Sequence, residues 1–437
     1  MNADQSDQRD SAWPVGEITG RPIASHAAAL LEGGPSYLTR AFHAAGTLPA
    51  DNAVSSITDA REWAVGGTGS KLILSVAYAK PTTLPTDLFV KFSRNPHDAG
   101  RDSLRFHMGP EIRFAAISNQ PGFPIAVPLC LFADFDSESG TGILITDRIG
   151  YGEGDVEPHH HKCMDYDLDA PLDHYRALVR ALARLAGAHK AGTLPDAAYA
   201  YFPFDLERAI AGDPMPQPRA KLVRKLEKLE EFTRSFPQLF PRPLIAPPFL
   251  QRVAREALRM ADQERAIREF LHADPDMIAL CHWNGNIDNA WFWPDADGTL
   301  QCGLMDWGSV GQMHLAMTLL GSLSGMEHHL WAAHIEELVA LFTAEYRAAG
   351  GPDVSPGRLM LHLRVYTALM GLAYLLDAPA RIAAEFDDLT MIEGRRDPRF
   401  AEKENPRIML HILTSLLTMW HGTDFDEILD RLPIADA

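Results

Sequence analysis

Between Cys281 and Gly308 the chain reads CHWNGNIDNAWFWPDADGTLQCGLMDWG, a stretch dense in side chains that could hold a divalent cation. His282, Asn284, Asp288 and Asn289 fall in a tight loop. An apolar run, AWFW, follows, then the turn PDADG, then a second run, CGLM, ending in Asp306-Trp307-Gly308. Two short apolar runs across a Gly/Asp turn predict a hairpin. Its outer ends lie together, which brings Asn289 and Asp306 to one mouth. A neutral amide oxygen and a carboxylate there suit Mg²⁺, which takes few protein oxygens and completes its shell with phosphates and water. Taken singly, Asp306 reads as a turn residue and Asn289 as a cap. Both together, with His282 seven residues before Asn289, favour the metal.

The order His282-Trp283-Asn284, four residues, Asn289, then Asp306-Trp307-Gly308, resembles the catalytic loop and D-x-G metal ligand of protein-kinase-like enzymes. More closely it resembles the aminoglycoside phosphotransferase and choline-kinase branch, ecdysteroid-kinase-like relatives included, where the loop reads HGDxHxxN. The resemblance runs from about Arg61 to Trp420. It implies an α+β, two-lobed protein-kinase-like fold: a small N-terminal antiparallel sheet lobe and a larger, mainly helical C-terminal lobe. It implies Mg²⁺-dependent transfer of the γ-phosphate of ATP or GTP to a hydroxyl of a small molecule. Asn284, Asn289, Asp306 and His282 would then be the catalytic residues, Asn289 and Asp306 the metal ligands, and His282 a hydrogen-bonding brace of the loop. One departure matters: Asn284 stands where the family has aspartate. An amide accepts a hydrogen bond but takes no proton at neutral pH. The alternative is therefore a pseudokinase, a nucleotide-binding regulator without transfer. Nucleotidyl transfer is a third option. The family also continues G-D-P-x-x-D-L-A after its metal aspartate, whereas GQMHLAM puts His314 at the position of an aspartate that braces the loop.

The elements that must position these groups divide as a flexible tail (1–24), a nucleotide-binding sheet lobe (25–148) and a helical lobe (149–437). SYLTRAFHAAG predicts a helix within about 25–50. REWAV (61–65), KLILSVAY (71–78) and DLFVKFS (87–93) alternate as strands do, with GGTGS (66–70) between the first two. Gly66, Gly67 and Gly69, with Ser70, allow a backbone that approaches phosphate oxygens, or simply a hairpin turn. Lys91, inside LFVKF, is either a solvent-facing strand residue or, as the resemblance implies, the lysine that contacts nucleotide phosphates and pairs with a helix glutamate. Glu111 is the sole glutamate between Lys91 and Glu138, and it follows Gly109-Pro110, a helix start. FPIAVPLCLFADFD and TGILITDRIG read as two further strands. The resemblance puts the interlobe hinge at Thr146, Asp147 and Arg148, where backbone groups would bind the nucleotide base.

His159-His160-His161 with Cys163 reads as a solvated run in a loop, since consecutive residues cannot all face one ion. Helices are expected over 172–192, 220–235, 251–274, after 314, across 359–376 and over 406–420. His189 is expected to be a packing histidine, and Trp283, Trp291, Trp293 and Trp307 to be core residues. Asp288 is a nearby carboxylate of unknown direction.

Composition narrows the partners. A formal net charge of −18 with no basic patch argues against nucleic acid or an anionic membrane. EFDDL (385–389) could receive a cationic substrate or simply face water. Four cysteines without metal spacing read as reduced thiols, and MNADQSDQRDSAWP lacks an apolar signal core. Leu359 to Leu376 is interrupted by His362 and Arg364, so it predicts a buried bundle helix rather than a membrane span. The expectation is a cytoplasmic monomer or homodimer.

Overall fold

The computed structural model describes residues 13–63, 68–212 and 214–432. It divides into two compact units. The first runs to Glu157 and takes in Leu194–Pro203 and Gly303–Gly311; the second holds the rest.

The first unit is built on a five-stranded antiparallel sheet of order β1-β2-β3-β5-β4. Its strands are β1 (Val54–Glu62), β2 (Ser70–Tyr78), β3 (Asp87–Phe92), β4 (Cys130–Asp136) and β5 (Thr141–Asp147). The period-two alternation sorts the side chains. Leu72, Leu74 and Val76 of β2, Leu88, Val90 and Phe92 of β3, and Ile143 and Ile145 of β5 join one core cluster. That cluster includes Leu30, Leu38 and Phe42 of helix α1 (Ala27–Ala44). The opposite face of β4 and β5 packs Ala133, Phe135 and Leu144 against Ile112 and Ala115 of helix α2 (Gly109–Ser118). On β2 and β3 that same face presents Lys71, Ile73, Phe89 and Lys91, in register as the pairs Lys71↔Lys91 and Ile73↔Phe89.

Two strand expectations are corrected. The first strand begins at Val54, not at Arg61, and Ala64 to Gly67 lie outside the described residues. An edge strand with one side to water can be largely polar, as VSSITDARE is apart from Val54 and Ile57, which reach the core. In the FPIAVPLCLFADFD run only Cys130–Asp136 is strand, because two prolines withhold ladder donors from the earlier part.

The second unit is mainly helical: α3 (Pro171–Lys190), α4 (Arg219–Ser235), α5 (Pro247–Asp262), α6 (Glu264–His272), α7 (Leu315–Leu323), α8 (His328–Ala348), α9 (Pro356–Tyr374) and α10 (Glu404–His421). The predicted helix over 251–274 is two helices. The chain leaves helical geometry at Gln263 (φ −111°, ψ 11°), where Arg219 grips Asp262 and Met215 N–H donates to Glu264. No glycine or proline marks that break. α9 lies in the one segment among the described residues long and apolar enough to cross a membrane, and it is largely buried inside this unit, as expected. The short strands β6 (Ile278–His282), β7 (Ala290–Pro294), β8 (Leu300–Leu304) and β9 (Val310–His314) pair as β6 with β9 and β7 with β8, so the expected hairpin is present. All four cysteines are buried free thiols.

Neutral histidines are packed into this helical core. His314 Nδ1 accepts the N–H of Ala316, capping α7, and its Nε2 faces His362 Nδ1 at 3.0 Å. Its proton therefore sits on Nε2. Burial holds His314 well below the usual imidazole value and pushes His362, His411 and His189 down to about 4. A depressed folded pKa means the unfolded chain binds more protons as pH falls from about 6.5 to about 4, so stability drops through that window. A shift of this size is worth on the order of 3 kcal/mol per group. Asp165, raised to about 7 by burial, acts in the opposite sense, as do the raised carboxyls of Asp147, Glu111 and Glu256, while the lowered imidazoles of His272 and His328 add to the four named. The urea midpoint should fall markedly between pH 7 and pH 4.5, and less steeply in His362→Phe. A flat midpoint would contradict the assignment of these rings as neutral.

Candidate active site

Lys91 is where the sequence offered two readings, and the solvent-facing one is overturned. The residue is buried, on the face of β3 opposite α1. Its ammonium lies 2.6 Å from Glu111 Oε2 and 2.8 Å from Asp306 Oδ1. Burial by itself would lower a lysine. Here the two carboxylates outweigh it and hold Lys91 protonated, above its ordinary value. Glu111 is buried on the first turn of α2, which starts at Gly109-Pro110. Burial pulls its carboxyl upward, against the attraction of Lys91. Removing one member of a buried ion pair leaves the other uncompensated, at a cost of about 3–5 kcal/mol. Lys91→Met should therefore lose about that much stability in urea unfolding, and Lys91→Met/Glu111→Leu should recover most of it. Equal stability of the single variant and the wild type would contradict the pair.

Asp306 reaches Lys91 because the segment around it is fastened into the first unit. Gly303 bridges Ala126, Leu304 N–H donates to Ala126 O (3.0 Å), and Trp307 stacks on Phe114 of α2 with ring centroids 3.9 Å apart. Trp307 Nε1 also donates to Leu304 O. Trp307 is thus a core residue, as expected, with the added role of clamping its neighbour. Asp306 has left-handed backbone (φ 60°, ψ 61°). That region costs most L-residues about 1–2 kcal/mol and is tolerated best, after glycine, by Asn and Asp. Its side chain is 46% exposed.

The loop residues lie in the second unit. His282 ends β6 rather than lying in the loop; it is buried, and its Nδ1 accepts Asn284 N–H (3.2 Å) while Thr318 Oγ1 donates to its carbonyl (2.8 Å). It is placed as a brace. Asn284 Oδ1 accepts from Asn286 Nδ2 (2.7 Å) and from Lys162 Nζ (3.2 Å). Asn289 Nδ2 donates to Asn284 O (2.9 Å), which commits its N–H side to the loop. Gly321 on α7 lets the loop sit close, since a Cβ there would meet Trp283 O at 1.6 Å. β7 begins directly after Asn289, and β8 ends two residues before Asp306. An amide oxygen and a half-exposed carboxylate are the hard oxygen donors that Mg²⁺ takes.

Asp288 contributes its backbone: its carbonyl faces His159 Nε2 at 2.9 Å. His159 and His161 are exposed, as a solvated run requires, but His160 is half-buried and packs edge-on against His174 (centroids 5.2 Å apart).

Gly66 and Gly67 lie outside the described residues. Gly69 (φ +58°) is needed locally, because a Cβ would meet Phe92 O at 1.9 Å. Ser70 Oγ donates to Arg94 O (3.0 Å). At Thr146-Asp147-Arg148 the strand neighbours have taken two donors: Asp147 N–H bonds Leu129 O and Arg148 N–H bonds Asp87 O, each at 3.0 Å. Thr146 Oγ1 donates to Asp147 O. A base held here would need amides further along the chain.

Three residues beside the expected set were passed over in the sequence. Lys71 and Phe89 share the face and register of Lys91, a fact the alternation contained. Lys162 comes from the histidine-rich loop, and nothing in its spacing points to Asn284.

Over most of its length the chain matches solved structures of small-molecule kinases. One is a choline/ethanolamine kinase family protein from Mesorhizobium loti, at 15% identity over 86% of this chain and 98% of that one, TM-score 0.38. Another is a microcompartment-associated aminopropanol kinase, at 10% identity over 81% and 90%, TM-score 0.40. A third is the GDP complex of wild-type aminoglycoside 2′-phosphotransferase-IIIa, at 15% identity over 83% and 93%, TM-score 0.38. No family model and no curated protein matches the chain.

Proposed function

We propose that this protein is a Mg²⁺-dependent phosphotransferase that moves the γ-phosphate of ATP or GTP to a hydroxyl of a small molecule. The observation that carries the proposal is the trio Lys91–Glu111–Asp306, drawn from three distant parts of the chain, with Lys91 and Glu111 buried and Asp306 half-exposed. A lysine fixed by one helix carboxylate and one half-exposed carboxylate suits nucleotide phosphates better than it suits stability. A buried ion pair is seldom better than the apolar packing it displaces. Glu111 holds the ammonium in place, and Lys91 donates to α/β-phosphate oxygens. Asp306 and Asn289 would hold Mg²⁺, which would supply neutralisation of charge on the transferring group. His282 fixes the loop, and Asn284, whose side-chain oxygen already accepts from Lys162 and Asn286, takes no proton from the acceptor hydroxyl. Phosphoryl transfer has a loose transition state, so positioning and charge neutralisation supply most of the catalysis. Phe89, half-buried on the face that carries Lys91, offers an apolar surface to the base.

The test is a screen of Mg-ATP and Mg-GTP against amino-sugars, amino-alcohols, sterols and macrolides, read as acceptor-dependent release of nucleoside diphosphate. Release with one class supports transfer. Tight Mg-nucleotide binding with no release for any acceptor would favour the second reading, a pseudokinase. The observation behind that reading is Asn284, whose oxygen is already hydrogen-bonded to Lys162 and Asn286.

A further inference from the structure

We infer that the second unit carries a binding site for a small polyphosphate, built from residues that the candidate active site does not use. The site is a cleft of about 200 Å³ between α4 and the chain that follows α9. Lys221, Arg224, Lys225 and Lys228 line one wall, and Leu376, Asp377, Pro379 and Ala380 line the other. No basic run stands out in the sequence, because Leu222, Val223, Leu226 and Glu227 interrupt it. The helix gathers it: positions i, i+3, i+4 and i+7 share one side. Leu222, Leu226, Leu229 and Phe232 of α4 are buried on the other.

Packing accounts for the leucines but not for four cations facing one cleft. Lys221 with Lys225 and Arg224 with Lys228 are like charges four residues apart, which destabilises a helix. The first turn of α4 holds Arg219 and Lys221 and no acidic residue. Cations there oppose the positive end of the helix dipole. A face that served solubility alone would mix its signs, the more so in a chain of net charge −18. Asp377 is the sole carboxylate of the lining, and Lys225 Nζ takes its Oδ2 at 2.7 Å. Among the described residues, Lys221, Arg224 and Lys228 have no ion-pair partner, and all three are exposed. An anion with several charges close together offsets these costs. The guanidinium fork of Arg224 matches two phosphate oxygens at once, and the lysines act as point charges around it. The cleft is smaller than pockets that hold drug-sized ligands, which suits a short phosphate chain. Leu376 and Pro379, both buried, give it an apolar floor.

Orthophosphate, pyrophosphate and tripolyphosphate, without Mg²⁺, would be titrated calorimetrically into the full chain at low ionic strength. The same titrations into Lys91→Met/Glu111→Leu remove any contribution from the lysine of the candidate active site. Affinity should rise with each added phosphate, fall with salt and be the same in both proteins within about twofold. Lys221→Gln/Arg224→Gln/Lys228→Gln, which leaves Lys225 its carboxylate, should bind tripolyphosphate at least about tenfold more weakly. Its ligand-free thermal midpoint should equal or exceed that of wild type, because the like-charge pairs are gone. Lys221→Arg/Lys228→Arg should stay within about threefold of wild type. Unchanged tripolyphosphate affinity in the triple glutamine variant, or no tripolyphosphate binding by the wild type, would overturn the inference. Binding confined to phosphatidylserine vesicles would overturn it too. Nucleotide turnover does not enter these readouts, so such a failure would leave the phosphotransferase reading standing.

Discussion

Asp306→Ala should lower Mg-dependent nucleotide turnover by about a thousandfold or more while leaving the fold in place. The first half follows from what the carboxylate does. It is the half-exposed charged oxygen of the trio, and a metal-held charge at a transferring phosphate is worth several kcal/mol in the transition state. About 4 kcal/mol is a factor of a thousand in rate. The second half follows from what the carboxylate does not do. Lys91 retains Glu111 at 2.6 Å when Asp306 is gone, so no buried charge is stranded. Alanine does carry the left-handed backbone penalty at φ 60°, about 1–2 kcal/mol. Asp306→Asn avoids that penalty and should unfold within about 0.5 kcal/mol of wild type, yet lose turnover almost as completely. Turnover within tenfold of wild type in both variants, measured at saturating Mg²⁺, would remove Asp306 from the chemistry.

Where the sequence was legible, a strict spacing was at work. Lys91 could be read because a strand has period two and LFVKF places one charge among apolar residues. Glu111 could be read because Gly109-Pro110 starts a helix and no other glutamate competes before Glu138. The hairpin could be read from its turn. What stayed hidden depends on contacts between distant segments. Nothing local says that Trp307 stacks on Phe114 and so clamps Asp306 beside Lys91. Lys162 meets Asn284 across 122 residues. The Gln263 break is held by Arg219 on Asp262 rather than by a breaker residue. His314 shows the same limit from another side. Its place suggested altered bracing, and the structure pairs its buried imidazole with His362, 48 residues away.

Asn284→Asp should raise acceptor-dependent transfer by about a hundredfold, the lower end of what a general base contributes. The loop is already arranged to hold a carboxylate there. Asn284 Oδ1 takes two hydrogen bonds, from Asn286 Nδ2 and Lys162 Nζ, while its backbone oxygen takes Asn289 Nδ2. An aspartate would keep the first two on one oxygen and turn the second oxygen, in place of an NH₂ donor, toward the acceptor hydroxyl. The gain sits at the lower end because Lys162, 3.2 Å away, would stabilise the new carboxylate and weaken it as a base. Asn284→Asp/Lys162→Met should accordingly exceed the single variant several-fold, with a higher pKa on the acidic limb of its pH–rate profile. A rise from no detectable transfer would mark the natural protein as a nucleotide-binding regulator that lacks one group. A fall of tenfold or more would mean that the amide suits the reaction as it stands, with Lys162 holding it in place and transfer proceeding without a base.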